Sequence, residues 1–421
     1  AGDCMSFCMF NAAGGLVGVN VGGSSISGSY AQGTIIGGAM TWAGGLVGQN
    51  GFFFPEGSIG TITNSYATGN VSAAGLDSAA GGLVGSNAPG SIITGSHATG
   101  TVAGSGGVAV GGLVGENHGT VTTSYAMGSV TLTMAGATDS VAGGFVGSNQ
   151  GTISDSYATG AVSSNNGDVI LGGFAGFNEG SIANSYATGN VTATTPTLAM
   201  LGGFVGGNIG TITNSHAIGS VNANAAVALA GGFVGLNFGQ IDLSYATGNV
   251  TVGDTSFAGG FVGFNFGEIN QAYAKGAVTA GANSFAGGFV GANVALDLGQ
   301  FGDMAPAAAS ASFGSITQSY ALGPVTGGNA VVAAGFAALN LGSLDQVYGV
   351  GHVQGGPGST LGGLVGLSSF TSLLPVFFDG PQPTLPTGTA TNSFWDMQTT
   401  AMLTSAGGTG MNTDVLAGGL P

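Results

Sequence analysis

The sequence contains almost no positive charge. Of its 421 residues only Lys275 is a Lys or Arg, against 17 Asp and Glu, and the formal net charge is −16. Proteins that bind nucleic acids neutralise phosphates with many Lys and Arg side chains, and an excess of negative charge repels DNA and anionic lipid. The composition therefore excludes nucleic acid as a partner and any catalysis that depends on an arginine clamp.

Long apolar runs are also missing. Although 43% of the residues are hydrophobic, Gly, Ser, Thr and Asn interrupt every run before it reaches the roughly 20 residues of a membrane-spanning helix. Disordered chains have low hydrophobicity, so this one should fold. We expect no transmembrane segment, and the first residues, AGDCMSFCMF, lack the basic and apolar blocks of a secretion signal.

Cysteine is limited to Cys4 and Cys8. In an exported protein two such cysteines pair either with each other or with a neighbouring subunit. We favour one local disulfide between them.

Glycine, by contrast, is abundant and periodic. The unit GG(L/F)VGxN, followed by Gly and (T/S)(I/V)xxS(Y/H)AxGxV, recurs mostly every 28 to 32 residues, with a degraded copy at Ala333 to Asn340. Its glycine pairs begin at Gly14, Gly44, Gly81, Gly111, Gly143, Gly172, Gly202, Gly231, Gly259, Gly287 and Gly362. A period of this length is typical of solenoid proteins.

The residues within each unit favour strands over helices. Each unit carries several Gly and alternating β-branched residues, as in GTITNSHAIGSV at 210–221, and Gly and Asn between the apolar triplets suit corners with positive φ. We predict an all-β protein: one elongated parallel β-solenoid of about twelve coils of roughly 30 residues, three short strands in each, about 58 Å long. Residues 1–13 form an N-terminal segment, 14–367 the solenoid, and 368–421 a Pro-rich segment and closing cap.

In a solenoid, equivalent residues of successive units lie above one another, so the repeat predicts columns of like side chains. An Asn at a corner tolerates the left-handed region, and its amide can bond to the coils on both sides. The predicted Asn column contains Asn20, Asn50, Asn87, Asn117, Asn149, Asn178, Asn208, Asn237, Asn265, Asn293 and Asn340. We interpret it as structural.

Two further columns are aromatic or apolar. The Tyr column contains all nine tyrosines, with His97 and His216 in the same position: Tyr30, Tyr66, Tyr125, Tyr157, Tyr186, Tyr245, Tyr273, Tyr320 and Tyr348. A second column runs from Leu16 through Leu113, then from Phe145 to Phe336, and ends at Leu364. Stacked rings contribute about 0.5 to 1.5 kcal/mol per pair beyond area burial, so we interpret both columns as packing.

Three insertions interrupt the repeat after the Asn corner. They span 51–57, 294–313 and 368–391, and should form loops along one edge of the scaffold. The first contains Phe52, Phe53 and Phe54, which either close a coil or form a patch that binds a partner.

The repeat resembles a known family. The GGLVG and GGFVG runs followed by GxIxxSYATGxV are similar to the GLUG motif of secreted bacterial adhesins and of the stalks of some immunoglobulin-cleaving metalloproteases, and NSFWDMQTT with TSAGGTG resembles the sequence that closes those regions. The resemblance implies a secreted, right-handed β-solenoid stalk involved in surface attachment. It does not imply an enzyme, since the HExxH helix of the metalloproteases is absent from the sequence.

Catalytic and metal chemistry finds little support. His97 and His216 lie four repeats apart and cannot share a metal ion, and Asp297 with Asp303 offers too few ligands for calcium. Paired carboxylates on adjacent coils, Asp155 with Glu179 or Asp242 with Glu268, meet the 5 to 10 Å spacing of a glycosidase on paper. These acids occupy positions usually filled by Thr, Ser or Asn, so we interpret them as solvated substitutions and predict no catalytic residue, metal or cofactor.

Ice binding is the main non-catalytic alternative. A flat TxT surface is suggested by Thr61 with Thr63 and Thr211 with Thr213, but Gln240 with Asp242 and Glu268 with Asn270 interrupt it. We predict a non-catalytic, extracellular structural protein of the cell surface: an adhesin stalk or a self-assembling fibre subunit. An ice-binding or glycan-binding solenoid is the alternative, and a polysaccharide-active enzyme ranks below it. The expected partners are further copies of the chain, since a solenoid end exposes strand edges, and a cell-surface or glycan receptor.

Overall fold

The computed structural model describes residues 11–52, 58–106, 108–133, 140–165, 167–295, 314–369 and 386–417. Its strands form a parallel β-solenoid of about 11 turns of roughly 30 residues. The predicted fold class is therefore confirmed. Two of its sheets contain 12 strands and a third contains 13, and equivalent residues of neighbouring repeats are partners throughout, as Asn149 is with Asn178.

The coil is divided more finely than the three strands expected. A typical coil contains Val146–Asn149, Thr152–Ser154, Tyr157–Ala158, Val162–Ser164 and Val169–Gly172. Each of these strands stacks on its equivalents to form ladders 1 to 5, in that order. Ladder 3 is one of the additional ladders. It forms because the two-residue Tyr-Ala segment pairs on its own between two turns.

The ladders have the following strands. Ladder 1 contains Val17–Asn20, Val47–Asn50, Val84–Asn87, Val114–Asn117, Val146–Asn149, Ala175–Asn178, Val205–Asn208, Val234–Asn237, Val262–Asn265, Val290–Val294, Ala337–Leu341 and Val365–Leu367. Ladder 2 contains Ser24–Ser27, Gly60–Thr63, Ile92–Thr94, Thr120–Thr122, Thr152–Ser154, Ser181–Ala183, Thr211–Thr213, Gln240–Asp242, Glu268–Asn270, Ser315–Thr317, Ser343–Asp345 and Thr389–Thr391. Ladder 3 contains Tyr30–Ala31, Tyr66–Ala67, His97–Ala98, Tyr125–Ala126, Tyr157–Ala158, Tyr186–Ala187, His216–Ala217, Tyr245–Ala246, Tyr273–Ala274, Tyr320–Ala321, Tyr348–Gly349, Phe394–Asp396 and Thr409–Met411.

Ladders 4 and 5 belong to one sheet and merge in two coils, where Val191–Gly202 and Val221–Gly231 serve both. The other strands of ladder 4 are Ile35–Gly37, Val71–Ala74, Val102–Ser105, Val130–Leu132, Val162–Ser164, Val250–Val252, Val278–Ala280, Val325–Gly327 and Val353–Gln354. The other strands of ladder 5 are Asn11–Gly14, Thr41–Gly44, Ser78–Gly81, Val108–Gly111, Ser140–Gly143, Val169–Gly172, Phe257–Gly259, Phe285–Gly287, Val332–Ala334 and Thr360–Gly362.

The interior contains two separate apolar clusters. The Leu and Phe column packs with Val of ladder 1, Ile of ladder 2 and Ala of ladder 3, and the second cluster joins ladders 4 and 5. The rings of the Phe column are fully buried and stack at 4.6 to 4.9 Å. Matching rings on successive coils fill the interior without voids.

The glycine pairs separate the two clusters by letting backbones approach closely. A Cβ added to Gly173 would lie 2.1 Å from the carbonyl oxygen of Gly203 on the next coil. The glycine pairs lack a positive φ, so these positions need a small residue and not conformational freedom. Left-handed backbone occurs instead at turn residues such as Asn64, Asn184 and Asn214.

A third apolar cluster lies on the outside of the coil and was not predicted. Outward side chains of ladders 5 and 1, among them Leu229, Phe257, Phe264 and Ala292, pack against one another across the glycine pairs. The rings of Phe257 and Phe264 are 5.1 Å apart and tilted. Large side chains cover these two ladders here, whereas the outward rows of the remaining ladders are mainly polar.

Residues after 388 extend the stack and then cover it. Thr389–Thr391 and Phe394–Asp396 join ladders 2 and 3, and two short helices follow, α1 (Met397–Thr400) and α2 (Thr413–Ala417). Trp395 is buried against Gly363, and its indole donates to the carbonyl of Met402 at 3.1 Å. This face of the last coil is closed by protein.

Candidate functional site

The Asn column forms a continuous chain of buried hydrogen bonds. The Nδ2 of each Asn donates to the Oδ1 of the next at 2.8 to 2.9 Å, from Asn20 through Asn50, Asn87, Asn117, Asn149, Asn178, Asn208, Asn237, Asn265 and Asn293 to Asn340. At its end the Nδ2 of Asn340 donates to the carbonyl of Thr389 at 2.9 Å. The members sit at the ends of ladder 1 strands and have no positive φ, so they serve by hydrogen bonding and not by relaxing a corner.

The Tyr column is an uninterrupted stack over most of the rod. Ring centroids lie 4.5 to 5.2 Å apart and nearly parallel from Tyr30 through Tyr66, His97, Tyr125, Tyr157, Tyr186, His216, Tyr245 and Tyr273 to Tyr320. The Nζ of Lys275 lies 5.0 Å from the Tyr273 ring. Unlike the Phe column, these rings are half-exposed along one side of the rod.

The two histidines of this stack make its stability sensitive to acid. Burial between tyrosine rings lowers the pKa of His97 and of His216. A histidine with a lowered pKa binds fewer protons in the folded state, so its contribution to stability is lost as the pH falls through the ordinary value of 6.5 toward the folded one.

We therefore expect the His97→Tyr/His216→Tyr variant, which completes the tyrosine stack, to lose less stability than the parent protein between pH 7.5 and pH 5. Thermal unfolding at both pH values measures this, with His352→Tyr, outside the column, as the control. An unchanged difference between the two melting temperatures would contradict the role of burial.

The stack ends at a pocket. Tyr320 and Tyr348 are partners in the ladder 3 register, but among the described residues no ring stacks on the far face of Tyr320. A pocket of about 690 Å³ opens there, lined by Gln318, Ser319, Tyr320, Gln346, Val347, Tyr348, Asn392 and Phe394. Burial, and to a smaller extent the charge of Asp396, raises the pKa of the Tyr348 hydroxyl, so this hydroxyl stays protonated at neutral pH.

Three carboxamides follow one wall of this pocket on successive coils; we call Gln318, Gln346 and Asn392 the amide row. All three have positive φ, between 47° and 54°, in the turn that precedes ladder 3. Gln318 accepts from Gln271 at 2.9 Å and donates to Gln346 at 3.4 Å, and Asn392 donates to Asp345 at 2.9 Å. These bonds hold the amides in place while leaving further donor and acceptor capacity.

The fold places the two candidate carboxylate pairs differently. Asp155 accepts from Asn184 at 3.1 Å, which places it and Glu179 at opposite ends of a ladder 2 strand, about 15 Å apart along the chain direction. Asp242 and Glu268 do lie on neighbouring strands, but each accepts from an amide of the adjacent coil, Asn270 at 3.2 Å and Gln240 at 3.3 Å. Both sit on the outer face of ladder 2, as expected of solvated substitutions.

No group of three or more His, Cys, Asp or Glu that could hold a metal ion occurs within the described ranges. The outer face of ladder 2 carries the TxT pairs, with Thr120 and Thr122 beside Thr152 and Ser154. Its regularity is interrupted where Ile92 stands exposed and where Gln240 and Glu268 pair.

Of the predicted phenylalanine patch, Phe52 is exposed and its backbone N–H donates to Ser58 at 2.8 Å. Phe53 and Phe54 lie outside the described residues, as do Cys4, Cys8, Asp297 and Asp303.

A polar group that the sequence analysis missed lies near the start of the rod, on the outer face of ladder 1. Glu116 is level with Ser86, and Ser86 with Gln49. The pKa of Glu116 is raised, mainly by burial. A hydrogen bond with Trp42 partly offsets this shift, and the charge of Asp77 adds to it. The Nε2 of Gln49 and the Oγ of Ser86 are buried and have no hydrogen-bond partner among the described residues. Two small residues, Ala79 and Ala109, lie beside Trp42. They leave room for the Trp42 ring to reach across two coils.

Comparison with known families agrees with the geometry of the coil. The family model of the GLUG motif matches residues 11–36, 43–72, 77–103, 138–163, 167–192 and 198–222. The chain is a GLUG-repeat protein. Each matched segment spans about one coil, and the coils beyond residue 222 continue the same ladders and columns. A search of curated proteins and one of solved structures found no match for the chain. Neither of the helices that the structure describes has the length to cross a bilayer.

Proposed function

We propose that this GLUG-repeat protein is a non-catalytic, extracellular structural rod, serving as an adhesin stalk or as the subunit of a surface fibre. The observation that carries the proposal is the continuity of the Asn, Tyr and Phe columns along the axis. Each coil bonds mainly to its two neighbours, so stability accumulates along one direction and yields a stiff spacer. The two carboxylate pairs considered for catalysis are separated or solvated, which favours this role over an enzyme.

The first described coil provides a surface for association with a second copy. Leu16 is 48% exposed, whereas Leu46, its equivalent on the next coil, is fully buried. Tyr30, the first ring of the Tyr column, is 56% exposed. These side chains and the strand edges beside them form an apolar end face, and unpaired strand edges recruit other strands. We assign this face to pairing with the same face of another copy, because Trp395 and α1 cover the opposite end.

Sedimentation velocity over a range of protein concentrations tests this association. We expect the parent protein to associate and Leu16→Glu to remain monomeric, because the variant places a charge in the apolar end face. Ile36→Glu is the matched control: Ile36 belongs to the same coil and is 79% exposed, but it points outward from ladder 4. A monomeric parent protein, or equal effects of the two substitutions, would refute the end-face contact.

A further inference from the structure

The end of the Tyr column combines three features that occur together nowhere else among the described residues. Tyr320 is stacked on one side only, with Tyr273 at 5.1 Å, and is 36% exposed. The pocket of about 690 Å³ begins at its free face, within the range of small-molecule sites. The amide row follows the wall beside it. We propose that this pocket binds a neutral sugar ring of a glycan, with Tyr320 as its stacking platform and the amide row as partner of its hydroxyl groups.

The chemistry of the lining selects this class of ligand. An aromatic ring presents a flat surface with a negative face, which suits the C–H groups on one face of a pyranose. The rim of a pyranose carries hydroxyls that both donate and accept, and a carboxamide is the uncharged side chain that does both. Among the described residues, the lining contains no carboxylate, ammonium or guanidinium group, which favours a neutral sugar over an acidic one.

The pocket is also built before any ligand arrives. Gln318 is held between Gln271 and Gln346, and Asn392 is held by Asp345. The Nε2 of Gln346 donates to none of the described residues and remains available. Preorganised groups lose less conformational entropy on binding. Tyr348 and Phe394, the register equivalents of Tyr320 on the next two coils, complete the lining on the cap side.

The combination of an open ring face, a pocket and a row of amides occurs once along the described part of the Tyr column. Between Tyr30 and Tyr320 each ring has a neighbour on both sides, which closes its faces to a ligand. Within the described part of the chain, Tyr30 at the other end of the column is also stacked on one face only, but no row of amides with a pocket of this size accompanies it. Tyr30 is therefore a matched control for an open aromatic face alone.

Isothermal titration calorimetry with cellohexaose, maltohexaose, mannohexaose and chitohexaose tests the proposal, using adenine as a flat heterocycle that contains no sugar. We expect at least one hexasaccharide to bind with 1:1 stoichiometry and adenine not to bind. Tyr320→Val should weaken binding at least tenfold. Gln346→Gly, which keeps the positive φ and removes one amide, should weaken it severalfold. Tyr30→Val should bind like the parent protein.

Circular dichroism confirms that each variant is folded, and Gln346→Gly keeps the test decisive if Tyr320→Val is unstable. Binding of none of the four hexasaccharides would overturn the proposal, as would binding that persists in both pocket variants, an equal loss in Tyr30→Val, or preferential binding of adenine. The proposal does not rest on the structural role of the rod. If the protein remains monomeric in sedimentation but binds sugar, the end-face contact is refuted and the sugar-binding pocket is supported.

Discussion

Gly173→Ala is expected to destabilise the solenoid by about 4 kcal/mol or more, among the largest effects of a single methyl group. The added Cβ would lie 2.1 Å from the carbonyl oxygen of Gly203 and 3.2 Å from the Cβ of Ala187. Gly203 lies in a buried bend between two strands and Ala187 in a strand of ladder 3, so relief requires two coils to move apart and their hydrogen bonds to lengthen. Equilibrium unfolding in urea measures the loss as a lower midpoint.

Gly167→Ala is the matched control, only six positions away. Among the described residues, its added Cβ would meet nothing nearer than the Oγ1 of Thr197 at 3.7 Å, and Gly167 lacks a positive φ. We expect its midpoint to stay within experimental error of the parent protein, or to rise slightly because Ala restricts the unfolded chain. Equal midpoints for the two variants would show that backbone contact is not the reason for the glycine pairs.

Asn178→Ala is expected to cost about 3 kcal/mol or more, because it breaks the Asn column in the middle. Two buried hydrogen bonds of 2.8 Å would be lost, one from the Nδ2 of Asn149 and one to the Oδ1 of Asn208. The Nδ2 of Asn149 keeps the carbonyl of Gly151 at 3.2 Å, whereas the Oδ1 of Asn208 loses its donor, and an orphaned buried polar group costs about 1 to 3 kcal/mol beyond the lost bonds. The free energy of unfolding from urea titration measures the effect.

Asn184→Gly provides the comparison within the same coil. Asn184 is exposed, has a φ of 51° and bonds to Asp155 and Asn214 on the surface. Glycine adopts this conformation readily, so we expect a change within about 1 kcal/mol. A loss at Asn178 no larger than that at Asn184 would mean that the buried amides do not act as a chain.

The periodicity of the sequence was sufficient to predict which residues neighbour one another across coils. Once the repeat is aligned, Asn149 must lie beside Asn178, and Tyr157 beside Tyr186, whatever the exact path of the chain between them. The same reasoning places His97 and His216 within the Tyr column. A solenoid converts distances along the chain into distances along one axis, which is why these predictions needed no knowledge of side-chain packing.

Features that depend on the shape of a single coil were beyond this reasoning. The separation of Asp155 from Glu179 follows from the positions of the turns within the coil. The repeat pattern does not determine those positions. The repeat also did not reveal why its glycine pairs are needed: Gly173 is required because backbones meet there. The pocket at Tyr320 depends on the end of the ring stack and on Phe394, which the closing segment adds to the lining. Neither feature has an equivalent in the other repeats.

The most direct test of the stacked coils is disulfide formation between residues that the register places side by side. In a background with Cys4→Ser and Cys8→Ser, the pair Thr152→Cys/Ser181→Cys joins register partners of ladder 2, about 4.8 Å apart and within the span of a disulfide. Thr152→Cys/Thr211→Cys places the thiols two coils apart, about 9.6 Å. Mass spectrometry after mild oxidation should find the first pair closed within one chain and the second pair reduced. A closed second pair, or a first pair that stays open, would contradict the solenoid.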